Sequence, residues 1–318
     1  MTVAEMKVAD VSQKLSVFHS ILVATDFSEA SRSALAEGVA WAGRYNSKLS
    51  IVHVIPPDWR YEMLPNPPEI DLERIGAERK LQAQVRDLHP DRKADSILIK
   101  HGPVSKAVLA AIAESDADLL LIGTHGRGGL SKLALGSVAE ELLRIAPCPV
   151  MTIGPKAAAF VTERPEFKAI LFAVDFGAGS TKALPLVLQL VRTHRARLIL
   201  LNVIPPAPTP SSSLSAYAPA SLAADELQGW EASSSKHAIQ KLREWIGAKG
   251  ELEQEPEYIV GTDFLTEGIL AAANKFEAGL IVMGSNWSPL AKLAAHLPWT
   301  AVHEVIHDAS CPVLTVAG

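Results

Sequence analysis

Four short segments of this chain occur twice, in the same order. Ile21-Leu22-Val23-Ala24-Thr25-Asp26-Phe27 returns as Ile170-Leu171-Phe172-Ala173-Val174-Asp175-Phe176, at an offset of 149. Ile51-Val52-His53-Val54-Ile55-Pro56-Pro57 returns as Leu200-Leu201-Asn202-Val203-Ile204-Pro205-Pro206, at the same offset of 149. Ala117 to Gly123 returns as Ala278 to Gly284 at an offset of 161, and Cys148-Pro149-Val150 as Cys311-Pro312-Val313 at 163. A period of roughly 150 residues is a duplicated domain, not a solenoid unit. The length of 318 residues suggests two domains as well. The offset grows mainly where the second copy carries the Pro/Ser/Ala-rich stretch Pro205 to Ala220, expected to be a mobile loop. The boundary falls near Gly154 to Glu166, where Gly, Pro, Ala and charge interrupt the apolar pattern. Residues 1–17 are expected to be a flexible tail, 18–155 the first domain and 166–318 the second.

Each copy alternates strand-like and helix-like segments. In the first copy, strands are expected at Phe18 to Thr25, Leu49 to Ile55, Ser96 to Lys100, Leu119 to Gly123 and Pro149 to Ile153. Helices are expected at Glu29 to Tyr45, Glu69 to Leu88, Val104 to Glu114 and Val138 to Ile145. Strands apolar on both faces and separated by helices imply a parallel sheet covered on both sides. The expected fold is therefore α/β, with two tandem, open, doubly wound domains. Each is a five-stranded parallel sheet with right-handed crossovers and helices on both faces. Ligands of such sheets bind beyond the carboxyl ends of the strands, at the switch point.

Composition narrows the function classes. With 48% hydrophobic and 20% charged residues, the chain reads as globular. A net charge of −5 argues against nucleic-acid or anionic-membrane partners, which need clustered Lys and Arg. No apolar run approaches the ~20 residues of a membrane span, and the first residues lack the apolar core of a secretory signal, so a cytoplasmic protein is expected. Two cysteines exclude a disulfide scaffold. Cys148 and Cys311 enter the matching last strands and read as buried and reduced, with a disulfide between them as the lesser alternative.

The segment after the fourth strand runs Gly123-Thr124-His125-Gly126-Arg127-Gly128-Gly129, then on to Leu135-Gly136-Ser137. It is neither a P-loop nor a dinucleotide fingerprint. Glycines let backbone N–H groups approach a phosphate, and a helix opening at Gly136-Ser137 would favour an anion at its N-terminus. Two plainer readings stand beside this. The glycines could form only a turn, and Ser137-Val138-Ala139-Glu140 fits a capping box.

The spacing Gly-x2-Gly-x9-Gly-Ser, on Gly123, Gly126, Gly136 and Ser137, resembles the ATP-binding pattern of universal stress proteins. The resemblance extends over nearly the whole chain as two tandem domains. It includes the opening Ile-Leu-Val-Ala-Thr-Asp-Phe-Ser, the His-Val-Ile of strand two and the closing Pro-Cys-Pro-Val. It implies an adenine nucleotide alpha hydrolase-like fold that binds ATP, with ADP or AMP as alternatives. Ala24, Thr25 and Asp26 would lie by adenine and ribose, Val54 against the base, and Ile122 and Gly123 along the nucleotide. Gly126 to Gly128 would wrap the phosphates, and Gly136, Ser137 and Val138 would hold their far side. Asp26 could share a Mg²⁺ or Mn²⁺ with phosphate oxygens; an N-cap of the first helix is its alternative. His125 and Arg127 could reach phosphate, with a solvated charge as the alternative for Arg127. His53 reads as a structural polar residue.

The second copy keeps Gly284 and Asp175, but Trp287 stands in place of Gly126, and Leu297-Pro298-Trp299-Thr300 replaces Leu135-Gly136-Ser137. Proline lacks an amide donor, so weak or no ATP binding is expected there. The last strands could pair across a two-fold within the chain, an intramolecular pseudo-dimer, with a further homodimer left open. The favoured function is an ATP-binding stress-response regulator or sensor. A slow ATPase and a nucleotide-independent scaffold are the alternatives. No phosphate-binding lysine or evident catalytic base argues for more than slow turnover.

Overall fold

A computed structural model describes residues 17–55, 69–124, 135–160, 167–204, 220–247, 252–261, 264–285 and 298–318. Residues 1–16 of the expected tail and the stretch from 205 to 219 lie outside the described residues, while Val17 is described and buried in the core. The first half runs β1 (Ser20–Thr25), α1 (Glu29–Tyr45), β2 (Lys48–Ile55), α2 (Glu69–Leu88), β3 (Ser96–His101), α3 (Val104–Glu114), β4 (Leu119–Gly123), α4 (Ser137–Ile145) and β5 (Val150–Ile153). A short 3-10 turn at Ala157–Phe160 leads to the second half. That half runs β6 (Ala169–Ala173), α5 (Ala178–His194), β7 (Arg197–Val203), α6 (Ala220–Ile246), β8 (Glu257–Gly261), α7 (Leu265–Lys275), β9 (Leu280–Ser285), α8 (Pro298–Asp308) and β10 (Val313–Ala317).

The strands form one sheet in the order β3-β2-β1-β4-β5-β10-β9-β6-β7-β8. Neighbours are parallel within each half, and β5 and β10 are antiparallel. Thr152 lies opposite Val313, Met151 opposite Leu314 and Val150 opposite Thr315. Each half is thus wound 3-2-1-4-5, and its winding reverses between β1 and β4, or between β6 and β9. Strands buried on both faces need no polar alternation. Ile21, Leu22 and Val23 of β1 are all fully buried, as are Leu119, Leu120 and Leu121 of β4. Two apolar layers result. One gathers side chains of α1, α2, α5 and α6, the other those of α3, α4, α7 and α8, and each layer runs through both halves.

One glycine at the end of β4 is fixed by packing. A Cβ on Gly123 would lie 2.5 Å from the Ala30 carbonyl carbon and 2.7 Å from the Ser31 nitrogen. The first turn of α1 therefore rests directly on that strand end. Gly284 at the end of β9 meets Gly179 and Ser180 of α5 in the same way.

The seam between the halves carries more than the strand pair. Thr152 Oγ1 donates to the Val313 carbonyl at 3.1 Å. A Cβ on Gly154 would collide with the Ile306 carbonyl oxygen. Trp41 of α1 packs on Phe167 with ring centroids 5.6 Å apart. Tyr45 Oη bonds to His194 Nε2. The Phe167 amide donates to His194 Nδ1 at 3.3 Å, so the neutral ring carries its proton on Nε2. Beside this cluster Glu37 is only 3% exposed and accepts from Trp41 Nε1 at 2.8 Å.

Burial pushes the Glu37 carboxyl from 4.5 up to about 7. Burial first, and the Arg44 charge second, push His194 from 6.5 down to about 4. Between pH 4.5 and 7 the folded Glu37 keeps a proton the unfolded chain has released, so its contribution to stability falls as pH rises. Between pH 6.5 and 4 the unfolded His194 takes up a proton the folded ring refuses, so its contribution falls as pH falls. Each is on the order of 3 kcal/mol, and the two offset each other across the overlapping window. Glu37→Gln keeps the acceptor for Trp41 and removes one arm. Urea unfolding should show it more stable than wild type near neutral pH and above, no different at about pH 4, and with stability that climbs as pH rises through the His194 window. Gly123→Ala and Gly284→Ala should each cost about 2 kcal/mol in the same assay without any ligand, because backbone, not a flexible side chain, blocks the added methyl.

Candidate functional site

β2, β1 and β4 are adjacent, and their carboxyl ends bring together Ala24, Thr25, Asp26, Val54, Ile122 and Gly123 from among the residues expected to bind a ligand. Register pairs Ala24 with Val52 and Thr25 with His53, which puts Val54 at the β2 end. Leu121 pairs with Val23, which puts Ile122 and Gly123 at the β4 end. Val54 and Ile122 are buried, while Ala24, Asp26 and Gly123 are half-buried.

The turn from β1 to α1 is held by Thr25. Its carbonyl accepts from His53 Nδ1 at 2.8 Å. Its hydroxyl accepts from the Phe27 amide at 3.2 Å and bonds Ser31 Oγ at 3.1 Å. These bonds hold Phe27 at φ +65°, a strained value for a bulky residue. The Lys80 ammonium sits 4.1 Å above the Phe27 ring. Asp26 Oδ1 accepts from the Ser28 amide at 3.0 Å. The N-cap of α1 is Ser28, whose Oγ accepts from the Ser31 amide at 3.2 Å. The capping role considered for Asp26 thus belongs to Ser28, two residues on. His53 ties β2 to β1, and Asn202 does the same in the second half, donating to the Val174 carbonyl at 2.7 Å.

Beyond β4 the chain leaves at Thr124 and returns at Leu135. The Gly136 amide donates to the Thr124 carbonyl at 2.8 Å, which closes the loop at its foot. Gly136 is the N-cap of α4 and makes no side-chain cap bond. The first intrahelical bond is Glu140 N to Gly136 O at 2.9 Å. The amides of Ser137, Val138 and Ala139 therefore open the helix as donors toward the strand ends. Ser137 is the first helical residue, so the capping box anticipated there does not form, and Glu140 instead accepts from Arg144 at 3.3 Å. Gly136 has spent its own amide internally, which leaves donation to the three residues after it. His125, Gly126, Arg127 and Gly128 lie outside the described residues. Sequence reasoning missed Ser31, Thr124 and His303, whose Nε2 accepts from the Leu135 amide at 2.5 Å. The Ser28-x-x-Ser31 spacing was a usable signal for the first; the carbonyl of Thr124 and the cross-half contact of His303 leave none.

The second half differs at the equivalent points. Val174 replaces Thr25, and Ser180 turns instead to Asp175, donating to Oδ1 at 2.6 Å. The Gly177 amide donates to the same oxygen at 2.8 Å, as the Ser28 amide does to Asp26. Asp175 is thereby engaged within its own turn. Helix α8 ends in register with α4 but begins at Pro298, two residues earlier, with a residue that has no N–H. Trp287 and Leu297 lie outside the described residues.

Chemically, the first half sets open helix amides beside β4 and a carboxylate at the end of neighbouring β1. Amides at a helix N-terminus suit an anion. Among the described residues no group of three or more His, Cys, Asp or Glu could hold a metal by itself. One carboxylate fits Mg²⁺ only as a partner to a ligand's own oxygens, which is how that ion commonly binds.

A model of the universal stress protein family matches residues 18–154 and again residues 166–317. A universal stress protein of Thermus aquaticus is 32% identical over 137 residues, 43% of this chain and 99% of that protein. A universal stress protein of Mycobacterium tuberculosis strain H37Rv is 28% identical over 176 residues, 49% of this chain, and the match spans 54% of that protein, about half its length. The crystal structure of a universal stress protein from Archaeoglobus fulgidus covers 95% of this chain and 97% of its own, with a TM-score of 0.62 at 18% identity, a likeness of fold. Among the described residues no helix is long and apolar enough to cross a membrane. With the family pattern matched twice, over both halves of the sheet, the chain belongs to the universal stress protein family.

Proposed function

We propose that this protein is a stress-response regulator that binds an adenine nucleotide in its N-terminal half alone, with ATP and Mg²⁺ or Mn²⁺ as the preferred form. The observation that carries this reading is the uncapped start of α4, which Gly136 anchors to the end of β4 by its bond to Thr124. The Ser137, Val138 and Ala139 amides would take phosphate oxygens. Asp26 would share the metal with them, and Val54 and Ile122 would flank the base. In the C-terminal half, Pro298 withholds a donor and the Ser180 hydroxyl donates to the Asp175 carboxylate, so that half serves as the structural partner. The pairing of β5 with β10 supports a pseudo-dimer within one chain. Backbone amides that hold the ground state and the transition state equally do not accelerate hydrolysis, so the reading is of binding rather than turnover.

Titration calorimetry with Mg-ATP should give one site per chain; two sites of similar affinity would contradict the proposed asymmetry. Gly136→Asp offers a matched test, since an aspartate at the N-cap caps the helix while its charge repels phosphate. The variant should melt no lower than wild type yet bind ATP at least about tenfold more weakly, the expected scale for a misplaced charge in a phosphate site. Nucleotide released on denaturation should be chiefly intact ATP; ADP with measurable turnover would favour a slow ATPase.

A further inference from the structure

Two consecutive amides close the foot of the loop, and only one is held by its own half. Gly136 donates to Thr124 of the same domain at 2.8 Å. Leu135 donates across the seam to Nε2 of His303, on α8 of the other half, at 2.5 Å. A backbone N–H can only donate, so Nε2 is the ring's lone-pair nitrogen and the neutral ring carries its proton on Nδ1. Leu135 is 9% exposed. Without His303 its amide would be left buried and unpaired, the costly outcome for such a group.

We propose that His303 is a positioning residue which the C-terminal half supplies to the nucleotide site of the N-terminal half. Its lone pair fixes the peptide that enters Gly136, and through it the direction of the open α4 amides. This deepens the nucleotide reading and rests on it. It also gives the second half a part in a site whose own counterpart it lacks.

The surroundings favour the accepting form. Burial, ahead of any charge, holds the His303 imidazole below its ordinary value. Among the described residues the charges that face it are Glu140 from α4, and Glu304 and His307 from α8 itself. Each is engaged elsewhere: Glu140 accepts from Arg144, Glu304 accepts from Thr266 of α7 at 2.6 Å, and His307 bonds Asp308 at 3.2 Å. Protonation of His303 would set a donor against the Leu135 donor and release the foot of the loop.

The test is calorimetric titration of Mg-ATP into the full chain from about pH 4.5 to 8, comparing wild type with His303→Ala and His303→Gln. Glutamine presents an acceptor near the place of Nε2 but does not titrate. At neutral pH the alanine variant should bind about tenfold more weakly, the scale of one buried amide left unpaired, and the glutamine variant within about twofold of wild type. As pH falls, wild type should lose affinity relative to glutamine; protonation of ATP itself affects both alike and cancels in their ratio. In the unliganded protein, hydrogen exchange at the Leu135 amide should be fast in the alanine variant and slow in the other two. Alanine binding like wild type, or wild type and glutamine tracking each other at every pH, would overturn the proposal. A wild type that binds no nucleotide would overturn the underlying reading instead, and the exchange rates would still decide whether His303 holds Leu135.

Discussion

Three residue pairs between β5 and β10 organise the whole molecule. A parallel doubly wound sheet ends at an open edge, and an open edge is a row of unpaired amides and carbonyls. Here each half covers the other's last strand, with Met151 opposite Leu314 at the centre. The pairing lets both apolar layers continue from one half into the next. It also brings α8 against the start of α4, and α1 against the Phe167–His194 cluster. A loosened strand pair would therefore disturb the cores, the aromatic seam and the loop foot together.

The two halves show which features are packing and which are not. Both keep a glycine where the fourth strand meets the first helix, a left-handed phenylalanine after the first strand, and a lysine 4.1 Å above that ring. Both keep a polar side chain that ties the second strand to the first, His53 in one and Asn202 in the other. Ser105 and Glu141 join α3 to α4 at 2.5 Å, just as Thr266 and Glu304 join α7 to α8 at 2.6 Å. What differs gathers at the strand ends: Thr25 against Val174, and the start of α4 against that of α8. Gly123 illustrates the distinction. It belongs to the glycine spacing that resembles a nucleotide-binding pattern, yet its counterpart Gly284 persists where the rest of that spacing is gone, because backbone contact alone demands it.

Much of this was legible in the residues, for physical reasons that can be named. Long apolar runs bounded by helical spacing mark a parallel sheet, and the helices Glu29–Tyr45, Glu69–Leu88 and Val104–Glu114 run over the residues that periodicity marks. The first strand begins at Ser20 rather than Phe18, since Phe18 packs on Trp41 while pairing with β2 starts at Ser20. Caps were less legible. Asp26, Ser28 and Ser31 lie within one turn, and only the backbone decides which of them faces the helix. Ser137 fits a capping box by spacing, but the fold starts α4 one residue before the box could form. Contacts across the seam, such as Leu135 with His303, depend on how two distant segments meet and leave no local trace.

Among the described residues, the continuous ten-stranded sheet ends at β3 on one side and at β8 on the other. The last strand of each half, β5 or β10, is already occupied by a tethered neighbour, present at high local concentration whatever the abundance of other chains. A fused pair of this kind is insulated from subunit exchange. Its two unlike halves remain matched one to one, and the composition of the pair is set by the gene rather than by mass action.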